Sequence, residues 1–373
     1  MAFFKKSLNQ LDSHGNLKII KEDLSDRVIA LAGNPNVGKS TVFNNLTGMK
    51  QHTGNWPGKT VVNAQGRYKY NNKNFILVDI PGTYSLAAIS PEEGVARDFL
   101  CFGEADAIAV VLDATCLERN LNLLLQILEV RREVVLCVNL LDEAQKKGIR
   151  IDLPGLSRQL AIPVVGCKAA IGEGLDQLMA EIDKISVLPK EFGHKEALFS
   201  YGEDIEEAIH ILQIIIRKNI SKKLDSRWLA LRLLDMDDSL ALSLAKYLGR
   251  DILDENNIKE NGEILTALAE VKKVLAQKGY GAEKIKDKIS EAILFKAEEI
   301  YQKTVGLERA DYNHRDRKID KILTSKTTGI PLMLLLLAMV FWLTIVGANY
   351  PSQLLSSFFF WLEGYLTKLF VYI

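Results

Sequence analysis

Two glycines, one lysine and two hydroxyl side chains stand at fixed spacing in Gly33-Asn34-Pro35-Asn36-Val37-Gly38-Lys39-Ser40-Thr41. This is the pattern G-x-x-x-x-G-K-[ST], in which a glycine-rich turn lets successive backbone N–H groups close around a polyphosphate. Lys39 reaches the β- and γ-phosphates of a nucleoside triphosphate, the Ser40 hydroxyl ligates Mg²⁺, and the N-terminus of the following helix adds partial positive charge. Gly33, Asn36, Val37, Gly38, Lys39, Ser40 and Thr41 are therefore the phosphate-binding candidates.

Other stretches supply the rest of such a site. Asp79-Ile80-Pro81-Gly82 closes an apolar run, so Asp79 can hold Mg²⁺ through water while the Gly82 N–H faces the γ-phosphate. Asn139-Leu140-Leu141-Asp142 closes another apolar run. Guanine-specific proteins read the base with an N-K-x-D turn, whose carboxylate accepts from guanine N1–H and the 2-amino group. Leu140 replaces that lysine, which keeps the base-reading Asp142 but leaves the choice of GTP over ATP open. In Gly166-Cys167-Lys168-Ala169-Ala170, spacing to Gly172 and Gly174 puts Ala169 where an N–H meets the guanine oxygen, with Lys168 in place of a serine.

The elements that must position these groups are legible around them. An apolar run, residues 28–32, reads as a buried strand before the phosphate loop, and residues 42–46 open a helix after it. Strand-like runs alternate with amphipathic helical stretches over 27–188, the pattern of an α/β domain with a mostly parallel sheet. Residues 64–70 and 74–78 flank Asn71-Asn72-Lys73 and predict one antiparallel hairpin, and the glycine-rich residues 51–60 read as a mobile loop. Residues 1–26 read as a tail. From 189 to 326 the pattern turns helical: Ile205, Ala208, Ile209, Leu212, Ile215 and Ile216 form one apolar stripe, and Trp228, Leu229, Leu231, Leu233 and Leu234 form another.

The chain then changes solvent. No charged residue occurs between Lys326 and Glu363, and 329–348 is long enough to cross a hydrocarbon core of about 30 Å at about 1.5 Å per residue. Arg315, Arg317, Lys318, Lys321 and Lys326 precede it, so the positive-inside tendency leaves the α/β domain in the cytoplasm. Residues 351–373, aromatic but carrying Glu363 and Lys368, read as an interfacial amphipathic helix or a second membrane helix.

Composition excludes other classes. Lys plus Arg and Asp plus Glu each number 47, a net charge of +0, which argues against a chain built to grip nucleic acid. Cys101, Cys116, Cys137 and Cys167 lack metal or redox spacing and read as free thiols of a reducing compartment. His194, His210 and His314 have no ligand spacing.

The order of these motifs is that of a Ras-like GTPase, and the chain resembles the N-terminal part of FeoB, the bacterial ferrous-iron transporter. The resemblance rests on residues 33–40, Gly54-Asn55-Trp56-Pro57-Gly58 with Thr60, residues 79–86 with Ser90-Pro91-Glu92-Glu93, residues 113–121, and residues 139–144. It implies an α/β Ras-like GTPase domain, then an all-α helical coupling domain and a transmembrane helix. It implies GTP and GDP as ligands, with Ser40, Thr60 and Asp79 serving Mg²⁺ and Thr60 joining only in the triphosphate state, which makes residues 51–59 a switch loop. Thr83 stands where Ras has its water-orienting glutamine, so slow hydrolysis is expected, with Lys39, Thr60, Gly82 and Asn36 as the catalytic set. In the family a potassium ion supplies the extra charge, and its ligand maps to Asn36. Val62, Leu140 and Lys168 depart from the family pattern without removing a phosphate or Mg²⁺ ligand.

Further implications are a place at the bacterial inner membrane, contact with the lipid bilayer, small FeoA- or FeoC-like partners, homo-oligomerisation, and no nucleic-acid partner. The family's membrane domain has many helices; those not seen here belong to a longer form of this polypeptide or to another chain. Two competing readings are an Era-type GTPase bound to RNA or ribosomes, and a membrane-anchored GTP sensor without a transport role. The uncharged span and neutral balance oppose the first.

Overall fold

In the computed structural model, residues 28–32 are each at most 1% exposed. A strand covered on both faces needs no polar alternation, which is why its sequence is an unbroken apolar run. This strand, β1 (Arg27–Gly33), lies between β4 (Lys73–Asp79) and β5 (Ala107–Asp113) and runs parallel to both. The structure describes residues 19, 21–23, 25–48, 51–55, 62–87, 90–187, 197–220, 224–254, 257–307, 323, 325, 328–347 and 349–371.

The first domain contains β1, α1 (Lys39–Thr47), β2 (Gln51–Asn55), β3 (Val62–Tyr70), β4, α2 (Pro91–Phe102), β5, α3 (Leu117–Val130), β6 (Val134–Asn139), α4 (Leu141–Lys146), β7 (Ile149–Ile151), α5 (Leu153–Leu160), β8 (Val164–Gly166) and α6 (Leu175–Ser186). Its seven-stranded sheet has the order β2-β3-β4-β1-β5-β6-β8. Side-chain alternation divides the core into two layers. Val28, Ala30 and Ala32 face the side covered by α2 and α3, while Ile29 and Leu31 face the side covered by α1 and α6.

The expected hairpin is present: β3 and β4 pair antiparallel, joined at Asn71 and Asn72 with φ of 47° and 60°. Left-handed backbone at both central positions matches the right-handed strand twist, and asparagine tolerates it. Residues 51–55 differ from expectation, because they form β2 and pair with the outer edge of β3 from Gln51↔Gly66 to Asn55↔Val62. Hydrogen bonding to an open sheet edge overrides the loop-like composition of this stretch. Residues 56–61, including Thr60, lie outside the described residues.

A helical domain follows, with α7 (Glu203–Asn219), α8 (Ser226–Asp235), α9 (Asp238–Leu248), α10 (Ile258–Gln277) and α11 (Ala282–Thr304). Ile205, Ala208, Ile209, Leu212 and Ile216 of the predicted stripe are buried, whereas Ile215 at its margin is only partly so. Helix α11 packs on α3, α5 and α8, so both domains share one apolar core layer. After α11, β9 (Val305–Leu307) pairs antiparallel with β7. No local signal marks a three-residue strand, and this one exists because α11 returns the chain to residues 149–151.

Residues Met1–Glu308 form one compact unit and Arg309–Ile373 another. In the second, the helix Gly329–Trp342 continues through a π-helical turn, Leu343–Gly347, towards the helix Asn349–Val371. The run Gly329–Thr367 is long and apolar enough to cross a membrane. Pro351 falls in the first turn of the last helix, where a missing N–H removes no intrahelical bond.

Candidate nucleotide-binding site

The phosphate-loop candidates lie between the end of β1 and the start of α1. Gly38 caps α1 with φ 83°, and Asn36 at the loop's exposed crest has φ 65°. A Cβ at Gly33 would sit 2.3 Å from Val111 O, and one at Gly38 would sit 2.3 Å from Asn139 Nδ2. Both positions therefore require glycine, for close approach as much as for backbone freedom. Thr41 N–H donates to Gly38 O at 3.0 Å, which closes the first turn of α1. Val37 is buried, while Ser40 and Thr41 are exposed at the mouth.

Opposite the loop stands the end of β4. Lys39 Nζ donates to Asp79 Oδ1 and to Ile80 O, so the residues singled out from two distant motifs are in direct contact. The Asp79–Gly82 segment is fixed against the loop by Ile80 N–H to Leu31 O at 3.1 Å and Thr83 N–H to Gly33 O at 3.3 Å. A Cβ at Gly82 would lie 3.1 Å from Pro35 Cα, which leaves the two loops in backbone contact.

At the other end Asn139, only 1% exposed, ties three elements together. Its Nδ2 donates to Val37 O at 3.0 Å, and its Oδ1 accepts from Ala169 N–H at 3.0 Å. Leu140 takes a left-handed φ of 61°, and Asp142 sits half-exposed in the first turn of α4 with its acid group 4.0 Å from Lys146. In this conformation the Ala169 N–H is committed to Asn139, and Ala170 is the exposed neighbour. Sequence reasoning did not find Asn45, whose Nδ2 donates to Ala169 O at 2.6 Å and holds α1 to the base loop. The partners are 124 residues apart, and nothing local announces such a contact.

The segment that follows Gly82 is tied to α3 of its own domain and faces the helical domain across a cavity. Leu86 N–H donates to Gln126 Oε1 at 2.8 Å, and Leu86, Gln126, Glu129, Trp228, Arg232 and Ile289 line a cavity of about 350 Å³ between the two domains. Buried Arg97 of α2 donates to Ser239 Oγ at 2.8 Å and Ser243 Oγ at 3.2 Å of α9. Tyr201 OH donates to Glu129, whose carboxyl is pushed up by burial against the opposing pull of Arg232. Cys101, Cys137 and Cys167 are buried free thiols and Cys116 is an exposed one. No group of three or more metal-ligating side chains occurs among the described residues.

A mostly parallel sheet carrying these loops at the carboxyl ends of β1, β4, β6 and β8, with a helical domain behind it, defines a Ras-like G domain fused to an all-α module. Family models agree on both parts: "Ferrous iron transport protein B" matches residues 27–182, and "FeoB cytosolic helical domain" matches residues 201–306. The chain belongs to the FeoB family. It is 32% identical over 330 residues to the Fe(2+) transporter FeoB of Staphylococcus aureus (strain COL), a match covering 88% of this chain and 46% of that relative. It is also 32% identical over 344 residues to an Fe(2+) transport protein A/Fe(2+) transporter FeoB fusion protein of Porphyromonas gingivalis, covering 90% of this chain and 38% of that one. Among solved structures, the cytosolic domain of the T. maritima FeoB iron transporter in its GMPPNP form superposes with a TM-score of 0.60 at 31% identity, covering 75% of this chain and 99% of that domain. The chain thus spans about half the length of the S. aureus relative it matches.

Proposed function

We propose that this chain is the GTP-binding and GTP-hydrolysing portion of a ferrous iron importer of the bacterial cytoplasmic membrane. The observation that carries the reading is the convergence of two other loops on the phosphate loop at the carboxyl ends of the strands, Asp79 through Lys39 and Asn139 through Val37. The carboxyl ends of parallel strands are where open α/β sheets take their ligands. A similar cytosolic domain solved with GMPPNP supports a guanine nucleotide as that ligand.

The donor set suits both a polyphosphate and Mg²⁺. Gly33 and Gly38 leave a cradle that a Cβ would fill, and the Ser40 hydroxyl and Asp79 carboxylate are hard oxygen donors flanking Lys39. Bound there, Mg²⁺ neutralises charge on the β- and γ-phosphates. Lys39 leaves Asp79 to bind those phosphates, and the Gly82 N–H positions the γ-phosphate. Thr60 would join Ser40 as a Mg²⁺ ligand in the triphosphate state. Asn139 holds the base end to the phosphate loop, Asp142 reads the base edge, and an N–H of the Ala169–Ala170 turn faces the guanine oxygen. Asn36 would hold a potassium ion, whose charge would take the place of the missing catalytic glutamine.

The helical domain senses the segment after Gly82 through Leu86 and the interdomain cavity, and passes its state to the membrane segment. The remaining membrane helices and a FeoA-like protein are the partners; a fusion relative that joins FeoA and FeoB supports the latter. Fluorescent-GDP titration tests the site: Lys39→Ala removes a charge-assisted contact of about 1.5–3 kcal/mol and should weaken binding by about ten- to hundredfold. Unchanged affinity would overturn the assignment. GTP turnover should be faster in K⁺ than in Na⁺, and Asn36→Ala should abolish the difference; equal turnover in the two salts refutes the potassium role. In the complete transporter, iron uptake that survives Lys39→Ala would refute coupling to transport.

A further inference from the structure

Asn34, the second residue of the phosphate loop, is 2% exposed. Neither its Nδ2 nor its Oδ1 has a hydrogen-bond partner among the described residues. A buried amide with both atoms unsatisfied is rare, because each atom gives up water and gains nothing. Asparagine here also brings no backbone advantage, since Asn34 is absent from the positive-φ positions, which include Asn36.

Its surroundings say when it would find partners. Val28, Ala30 and Ala32 of β1 lie on the face covered by α2 and α3, and Asn34 follows directly after the strand ends at Gly33. Its two chain neighbours both touch the Asp79–Thr83 segment: Gly33 O accepts from Thr83 N–H at 3.3 Å, and Pro35 is the nearest neighbour of a Cβ at Gly82. That segment is held by Lys39 through Asp79 and Ile80, contacts that phosphate binding would break. Thr83, 1% exposed, caps its far end by donating from Oγ1 to Ser85 O at 2.6 Å.

We propose that Asn34 is a positioning residue: its amide is unpartnered while Lys39 holds Asp79, and it engages the peptide groups of the Asp79–Thr83 segment when that segment moves onto the γ-phosphate. This rests on the GTP reading above. The amide acts as an internal counterweight, destabilising the resting arrangement and favouring the triphosphate one. Unsatisfied polar atoms at functional sites are kept for such reasons, at a cost in stability.

The test is Asn34→Leu, which keeps the branched shape and removes both polar atoms, with Asn34→Ser as the variant that keeps a hydroxyl. Purified protein is assayed for thermal midpoint, for fluorescent-GDP and fluorescent-GMPPNP affinity, and for GTP turnover. Asn34→Leu should raise the midpoint by about 2–4 °C, leave GDP affinity within about twofold, weaken GMPPNP binding about tenfold and lower kcat about tenfold with little change in KM. Asn34→Ser should recover part of kcat. A Leu variant with wild-type kcat and wild-type GMPPNP affinity overturns the proposal, as does one that weakens GDP and GMPPNP equally. If the unaltered protein binds neither nucleotide, the GTP reading itself fails and the proposal with it; a failure confined to the Asn34 variants leaves that reading standing.

Discussion

Asn139 and Lys39 illustrate how little of a site's geometry is carried by any single side chain. Asn139 is named by its place in an N-x-x-D turn, yet both its polar atoms are spent on protein backbone, at Val37 and Ala169. Its role is to hold the phosphate loop and the base loop at a fixed separation. Asn139→Ala would leave a buried carbonyl and a buried N–H unsatisfied, at about 1–3 kcal/mol each. Chemical denaturation of the variant should therefore report a loss of about 2–6 kcal/mol even without nucleotide. A variant as stable as the parent would show that the bridge is dispensable. Asn34 makes the opposite case, a buried amide whose present arrangement satisfies nothing.

At the scale of elements, α2 begins shortly after the segment that follows Gly82. Ser90 and Glu93 form a complete capping box, with Ser90 Oγ accepting from Glu93 N–H at 3.2 Å and Glu93 accepting from Ser90 N–H at 3.4 Å. Pro91 occupies the first turn, where its fixed φ suits the helix. Ser90→Ala should cost about 1 kcal/mol and raise amide exchange in the first turn of α2 while leaving β1 protected. Uniform loss of protection across the sheet would mean that the cap supports the whole domain rather than this end. The S-P-E-E sequence, quoted above only as a family motif, is also a local helix-start signal, whereas β2 has none: residues 51–55 have strand form only because β3 offers them an edge.

For the whole molecule, the joint between the G domain and the helical domain is charged and half-buried. Glu129 of α3, Tyr201, and Arg227 with Glu206 form one connected group, the last pair bidentate at 2.6 and 2.8 Å. Burial raises the Glu129 carboxyl above its ordinary value and outweighs the lowering by Arg232 and the Tyr201 hydroxyl. A raised acid binds its proton more tightly when folded, so its contribution favours the folded state at low pH and is lost as pH rises through the raised value. Glu129→Gln keeps an acceptor for Tyr201 and removes that titration. The stability of the variant relative to the parent should therefore climb as pH rises from about 4.5 to 7. A difference independent of pH would show that Glu129 titrates normally. Glu299, by contrast, is lowered to about 2 by Lys303 and Lys296. Its contribution is present above its ordinary value and is lost as pH falls towards about 2; a third of its side chain is exposed, so solvent screening keeps it small.

The amino-acid order by itself determined what depends on near neighbours: the phosphate loop between strand and helix, the aspartate and glycine after β4, the asparagine turn of the hairpin, and the apolar stripe of α7. Each follows from backbone sterics or from a side-chain period, which act within one or two turns of chain. Tertiary structure alone decided that Lys39 meets Asp79, that Asn139 and Asn45 converge on Ala169, that residues 51–55 pair as a strand and that β9 returns to β7. Those contacts join segments that lie up to some 150 residues apart, and tertiary packing brings them within hydrogen-bonding reach, inside the G domain for all but the last and through the return of α11 for β9.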